Sequence, residues 1–139
     1  MKVILSGLIV FLVLVGTSPV TVAEDLKDQV KVEKSYEGLH PGLDPGLYVC
    51  AGNHLHVKGT VRNRASVTLT SLTLEGKAYD ADGKLLGTAH PPKIKPARLT
   101  PLKPGEEAEF DLEFLTITGQ VIPRAKRVEI VVIEAKGAP

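Results

Sequence analysis

The sequence predicts an all-β protein, an antiparallel β-sandwich of about seven strands behind an N-terminal signal peptide. The first observation is that apolar and polar residues alternate with a period of two over most of the chain after residue 47. The second is that Gly, Pro, Asn and Asp residues separate the alternating segments, as they do in turns. The third is that no segment after residue 24 has apolar residues at the 3.6-residue period of a helix.

Composition narrows the classes of function. The chain has 139 residues, with 17 Lys and Arg against 16 Asp and Glu, and a formal net charge of +1. This balance disfavours a nucleic-acid binder, so we expect no nucleic-acid partner. Aromatic residues make up 4% and Trp is absent, which disfavours a platform for stacking bases or sugars. Hydrophobic residues make up 43%, enough for a folded core rather than a disordered tail.

Residues 1–23 have the order of a secretory signal peptide. Lys2 is followed by the apolar segment Val3–Val15, and small residues end at Ala23. The apolar segment is shorter than the about 20 residues of a membrane span, so we expect cleavage after Ala23 and no stable membrane span afterwards. An uncleaved N-terminal anchor is the alternative. We therefore expect an exported bacterial protein, periplasmic or extracellular.

The mature chain divides into a short N-terminal part and one folded domain. Residues 24–46 are predicted to be a flexible N-terminal arm and a Pro/Gly spacer, with a short edge element as the alternative for the charged part, 24–36. Residues 47–136 are predicted to form the β-sandwich domain. Cys50 is the only cysteine, so the domain has no internal disulfide.

The first long alternating segment predicts a half-buried strand over residues 54–62. Its apolar positions include Leu55 and Val57. His54 and His56 share the opposite, polar face of the same strand. This parity predicts that both histidines lie on the surface.

A second alternating segment covers residues 72–79. Leu69 is out of phase with it, which predicts a bulge near residues 70–71. The segment ends before a turn that contains Gly83, a residue that readily takes a positive φ. We therefore predict a hairpin and a short returning strand.

The C-terminal half contains the clearest strand of the chain. Residues 90–104 are rich in Pro and predict a loop or an edge connection. Residues 107–114 alternate strictly, and residues 119–124 predict a loop. The β-branched segment 128–133 predicts a strand covered on both faces, or nearly so. We expect the core to contain the largest side chains of these strands, namely Phe110, Phe114 and Tyr79.

Three short motifs occur in order along the chain. They are V-x-G-x-V-x-N at Val57–Asn63, Tyr79-Asp80 before a Gly turn, and L-x-P-G-E at Leu102–Glu106 followed by Phe110. Together these residues resemble the FxLyD domain family. The resemblance implies a small immunoglobulin-like β-sandwich that bacteria export, and it implies no catalytic site.

Cys50, His54 and His56 are the candidate metal ligands. They lie within seven residues, and thiolate and imidazole groups suit copper or zinc. The two histidines share a strand face, with Cβ atoms about 6–7 Å apart. A fourth ligand would come from His40 or His90. The other interpretation is a buried Cys50 with two surface histidines, in which case no metal or cofactor is needed.

Acidic residues also line one face of the clearest strand. Paired carboxylates can act as general acid and base, but a solvated strand face accounts for this pattern without catalysis. The chain has no G-x-S-x-G, no phosphate-binding Gly-rich loop and no H-E-x-x-H motif, so we expect no enzyme. The acidic positions of this face are Glu107, Glu109, Asp111 and Glu113.

These observations predict an exported, non-catalytic β-sandwich module that binds an unidentified protein or a component of the cell envelope. Fold alone does not determine function, so the partner cannot be named from the sequence. The alternative is a periplasmic domain that binds Cu or Zn through Cys50, His54 and His56.

Overall fold

The computed structural model describes residues 16, 18, 24–35, 43–89, 94–95 and 99–138. The predicted signal peptide, apart from Gly16 and Ser18, lies outside the described residues, as do residues 36–42 of the arm and spacer. The described part contains eight β-strands and two short 3-10 helices. In chain order these are η1 (Lys27–Gln29), β1 (Val30–Lys34), β2 (Leu47–Val49), β3 (His54–Asn63), β4 (Leu69–Tyr79), β5 (Leu85–Ala89), β6 (Ile94–Lys95), β7 (Glu107–Thr118), η2 (Gly119–Arg124) and β8 (Arg127–Gly137).

The strands form two antiparallel sheets that pack against each other. The five-stranded sheet has the order β1–β3–β7–β6, and β2 pairs with β3 on the same side as β1. The three-stranded sheet has the order β5–β4–β8. Side chains from both sheets meet in one apolar core. Two sheets around a shared core make a β-sandwich, so the predicted all-β fold class is confirmed.

The alternation along β3 and β7 directs their apolar side chains into the core. Phe110 and Phe114 are 2% and 0% exposed, as predicted. Gly59 pairs with Phe110, and a Cβ atom at Gly59 would lie 2.6 Å from Phe110 Cζ and 2.2 Å from the carbonyl oxygen of Glu33. Glycine is therefore required here, because the phenyl ring and β1 both approach the backbone of β3.

Tyr79 lies outside the core, contrary to the prediction. Its neighbour Ala78 is fully buried and takes the inward position, so Tyr79 falls on the outer face of β4. The guanidinium carbon of Arg127 lies 4.2 Å from the centroid of its ring. The Tyr79 hydroxyl donates a hydrogen bond to Glu129 at 3.3 Å.

β8 is less covered than predicted, because Val128 is buried but Glu129 and Ile133 are exposed. It is also an edge strand. Among the described strands it pairs with β4 alone. A register shift between Thr73 and Leu74 leaves Ile133 of β8 without an opposite residue, and its side chain is 45% exposed. The β-branched residues of this segment therefore form a strand whose faces are only partly covered.

The outer edge of β8 is not paired with another strand, but hydrogen bonds from other residues cover it at both ends. At one end, the Lys34 ammonium donates to the Val128 carbonyl at 2.9 Å, and the Val128 N–H donates to the Asp44 carboxylate at 3.0 Å. At the other end, the Leu26 N–H donates to the Ala135 carbonyl at 3.0 Å. These contacts connect the N-terminal residues to the smaller sheet.

Two local predictions about turns and bulges are confirmed. Gly83 has a φ of 79°, and its N–H donates to the Asp80 carbonyl at 3.1 Å, which closes the predicted hairpin. The register between β4 and β8 shifts between Leu69 and Ser71, where the bulge is predicted.

Three connections complete the fold. The segment predicted as a loop over residues 119–124 is the 3-10 helix η2, so that prediction is wrong. Of the two alternatives for the charged N-terminal segment, the structure shows the short edge element, because β1 pairs along its whole length with β3. Within residues 90–104, β6 is a two-residue edge strand on β7, in agreement with the predicted edge connection.

Candidate metal centre

The outer face of β3 carries His54, His56 and Lys58, between β2 on one side and β7 on the other. The register places Tyr48 of β2 and Glu113 of β7 directly opposite His56. Opposite residues on one face of an antiparallel pair have Cβ atoms about 4.5–5.5 Å apart. Strand pairing therefore brings together side chains that are distant in the sequence.

The turn between β2 and β3 places Cys50 beside His54. Asn53 has a φ of 61°, a left-handed conformation that Asn adopts more readily than most residues. Its N–H donates to the Cys50 carbonyl at 2.9 Å, and the Cys50 N–H donates to the His54 carbonyl at 3.1 Å. The closed turn leaves Cys50 Sγ 3.8 Å from His54 Nδ1.

Three possible ligand atoms converge at this turn. Cys50, His54 and Glu113 each offer one, and the three atoms lie within 4.8 Å of one another. His54 Nδ1 also lies 3.1 Å from Glu113 Oε1. The side chains of His54 and Glu113 are 31% and 19% exposed, and Cys50 is half-buried, so the predicted full burial of Cys50 is wrong. Solvent can reach the cluster, yet the strands shelter it.

His56 is buried, so its predicted place on the surface is wrong. Its side chain is 5% exposed, because the Tyr48 ring packs on it with centroids 4.8 Å apart and two carboxylates flank it. Its Nδ1 atom lies 2.9 Å from Asp111 Oδ1 and 3.1 Å from the Tyr48 hydroxyl. Its Nε2 atom is buried with no hydrogen-bond partner among the described residues, 3.8 Å from Glu113 Oε1.

Tyr48 and Asp111 lie beside the cluster on the same face of the sheet, and both contact His56. The Tyr48 hydroxyl donates a hydrogen bond to the Asp111 carboxylate. Burial, followed by this hydrogen bond, raises the pKa of Tyr48 above its ordinary value. The phenol therefore stays protonated and remains a donor at neutral pH. Lys58 Nζ lies 4.7 Å from the centroid of the Tyr48 ring, a cation–π contact.

Two of the three distances in the cluster are close to those between ligand atoms around a small tetrahedral ion. Zinc binds sulfur at about 2.3 Å and nitrogen or oxygen at about 2.0–2.2 Å, so tetrahedral ligand atoms lie roughly 3.3–3.6 Å apart. Here the Cys50 Sγ–His54 Nδ1 distance is 3.8 Å and the His54 Nδ1–Glu113 Oε1 distance is 3.1 Å. The third pair, Cys50 and Glu113, is held only within 4.8 Å, so these two side chains have to approach each other to bind one ion.

The structure brings Cys50 and His54 together, whereas His56 lies outside the group of three and approaches it through the Glu113 carboxylate. The predicted donors of a fourth ligand, His40 and His90, lie outside the described residues. Pairing the two clearest strands by their alternation would have placed a carboxylate opposite a histidine. Asp111 and Glu113 are predicted on the acidic face of their strand but not in this site, and no motif points to Tyr48.

Comparison with known proteins gives no relative: no family model, no curated protein and no solved structure matches the chain. The resemblance to the FxLyD family therefore stays a prediction. A search of the described residues for membrane spans finds no helix with the length and apolar character to cross a bilayer.

Proposed function

We propose that this chain is an exported, non-catalytic β-sandwich module that binds one transition-metal ion of the zinc or copper class through Cys50, His54 and Glu113. One observation carries the proposal: a thiol, an imidazole and a carboxylate have ligand atoms within 4.8 Å of one another. The proposal takes up the metal-binding alternative from the sequence, which named Cys50, His54 and His56, with Glu113 in the place of His56.

The residue types support a transition metal rather than a hard cation. Thiolate and imidazole ligands suit zinc and copper, whereas calcium and magnesium take oxygen ligands almost alone. The three side chains come from the β2–β3 turn, from β3 and from β7. An ion held by all three would tie the turn to the neighbouring strand.

The expected protein or cell-envelope partner stays a prediction. The large apolar side chains exposed among the described residues come from four different elements or connections, and single exposed apolar residues are normal on protein surfaces. They lie in the β3–β4 connection and on β5, β7 and β8, namely Val67, Leu85, Leu115 and Ile133. The metal site is therefore the better supported function.

The proposal is tested by titrating the exported protein with Zn(II) and, under reducing conditions, with Cu(I). Native mass spectrometry and calorimetry should find one equivalent of metal bound. Cys50→Ser and Glu113→Gln should each weaken binding by more than about tenfold, since both remove a ligand. Glu109→Gln is the matched control, because it changes an exposed carboxylate on the same strand face. If the wild-type protein takes up neither metal at a small molar excess, the proposal is wrong.

A further inference from the structure

We infer that His56 supplies a fourth ligand through Nε2, so that the site is a closed, four-coordinate centre for a zinc-class divalent ion. This inference rests on the proposed function, since it assigns the coordination of the same site. It depends on which nitrogen of His56 carries the proton and on what faces the other nitrogen.

The surroundings of His56 Nδ1 assign the proton to that atom. Asp111 Oδ1 lies 2.9 Å away and can only accept while Asp111 is ionised. The Tyr48 hydroxyl, 3.1 Å away, gives its own proton to the other oxygen of Asp111 and therefore presents a lone pair to Nδ1. With Nδ1 donating to Asp111, Nε2 is the nitrogen of His56 that remains for an ion. A histidine whose other N–H donates to a carboxylate is the usual arrangement in metal sites.

The surroundings of Nε2 favour a bound cation. Nε2 is buried, it has no hydrogen-bond partner among the described residues, and it faces Glu113 Oε1 at 3.8 Å. At 3.8 Å these two atoms make no hydrogen bond, and a buried polar atom without a partner is destabilising. A metal ion between Nε2 and Oε1 would be coordinated by both lone pairs.

The distances connect all four side chains in a row. Cys50 Sγ to His54 Nδ1 is 3.8 Å, and Glu113 Oε1 lies 3.1 Å from His54 Nδ1 and 3.8 Å from His56 Nε2. Each of these three neighbouring distances is within about half an ångström of the edge of a zinc tetrahedron, and the other pairs of ligand atoms have to close around the ion. Glu113 is the shared neighbour, so an ion bound to its oxygen is within reach of both histidines.

The resulting ligand set favours zinc over monovalent copper. It has one sulfur, two nitrogens and one oxygen, and the carboxylate is a hard ligand that suits Zn(II) better than Cu(I). Four protein ligands leave no position for a reacting water, which is how zinc sites that stabilise a fold differ from catalytic ones. Asp111 and Tyr48 are positioning residues in this centre, because they orient the His56 ring without binding the ion.

The test uses Co(II) as a spectroscopic substitute for zinc. Wild-type protein should bind one Co(II) and show a thiolate-to-cobalt charge-transfer band together with the intense visible bands of tetrahedral cobalt. His56→Ala should keep the thiolate band, lose most of the tetrahedral intensity and bind more than about tenfold more weakly. Asp111→Asn should weaken binding about 10–100-fold, the usual effect of removing such a partner, with the thiolate band retained. Glu109→Gln should match the wild type.

A second measurement covers the case in which His56→Ala fails to fold. In wild-type protein, Zn(II) should move the ¹⁵N resonance of His56 Nε2 to a metal-bound position, while Nδ1 stays protonated. If Zn(II) binds and this resonance does not move, or if folded His56→Ala binds Co(II) with the wild-type spectrum and affinity, His56 is not a ligand and only the inference fails. If the wild-type protein binds no metal, the proposed function fails as well.

Discussion

Asp111 Oδ1 lies 2.9 Å from His56 Nδ1, although the strand register places Glu113, and not Asp111, opposite His56. The contact is diagonal: Asp111 lies two positions along β7 from Glu113, the residue opposite His56. Diagonal neighbours on one face of a sheet are within reach of aromatic and long side chains. One buried imidazole therefore contacts a different carboxylate with each of its two nitrogens.

Metal binding should stabilise the protein, because the ion would connect the β2–β3 turn to β7. Zn(II) at 100 times its Kd would add about 2.7 kcal/mol to the free energy of unfolding, a rise of the melting temperature on the order of 10 °C. Differential scanning fluorimetry with and without Zn(II) measures this rise, and a chelator should reverse it. Cys50→Ser should abolish the rise and Glu109→Gln should keep it; an unchanged rise in Cys50→Ser would contradict the site.

Phe110→Ala should lower the free energy of unfolding by about 3–5 kcal/mol, because it empties a buried aromatic site. The Phe110 side chain is 2% exposed between the sheets. Urea denaturation measures the change. Leu115→Ala on the same strand is the control, since Leu115 is 51% exposed and its replacement should cost far less. A loss below about 1 kcal/mol for Phe110→Ala would mean that the faces of β7 are assigned wrongly.

Gly59→Ala should destabilise the fold by about 1–3 kcal/mol, as overpacking does. The added methyl group would lie 2.2 Å from the Glu33 carbonyl oxygen, which is backbone and cannot rotate away. Either β1 or the Phe110 ring has to move. Hydrogen exchange should therefore show lower protection in β1, whereas Thr60→Ala on the outer face should leave it nearly unchanged. Full protection of β1 in Gly59→Ala would refute this close approach.

Asn63→Ala should cost about 3 kcal/mol or more, because each buried group left without a partner costs about 1–3 kcal/mol. The Asn63 side chain is fully buried and donates to the carbonyls of Val67 and Leu102 at 2.8 and 2.9 Å. Its oxygen accepts from the Ala65 N–H at 2.9 Å. Urea denaturation measures this loss of unfolding free energy. Arg64→Ala is the control, because Arg64 is exposed and its replacement should leave the stability nearly unchanged. Equal stability of the two variants would show that water replaces these bonds.

The mature protein is expected to begin at Glu24, since the small residues before it fit a signal-peptide cleavage site. N-terminal sequencing of protein from the native host measures this directly. Recovery of the chain in the membrane fraction with Met1 retained would favour the uncleaved anchor.

The alternation of residues predicted the fold class and the inward side of β3 and β7, because a period of two assigns each residue to a face. The same period could not predict that His56 is buried. It assigns the histidine to the outer face, but whether that face is covered depends on the neighbouring strands. Here β2 brings Tyr48 over the ring, and β7 brings two carboxylates beside it.

The candidate site was predictable in part for the same reason. Cys50 and His54 are close in the sequence, so a turn is enough to join them. Glu113 comes from a strand more than fifty residues away, and only the register of β3 with β7 identifies it. Tyr79 and β8 were misassigned because a large or β-branched side chain favours a strand without specifying how well the strand is covered.

The contacts of Lys34 and Asp44 with Val128 affect whether a second molecule can pair with the edge of β8. An unpaired strand edge is a template onto which another chain can add a strand, and this leads to aggregation. At Val128 the outward N–H and C=O are already bound to side chains, and at the other end of β8 the Ala135 carbonyl is bound to the Leu26 N–H. An incoming strand would have to displace these partners before it could run the length of β8, so the N-terminal residues protect this edge of the smaller sheet from pairing with another molecule.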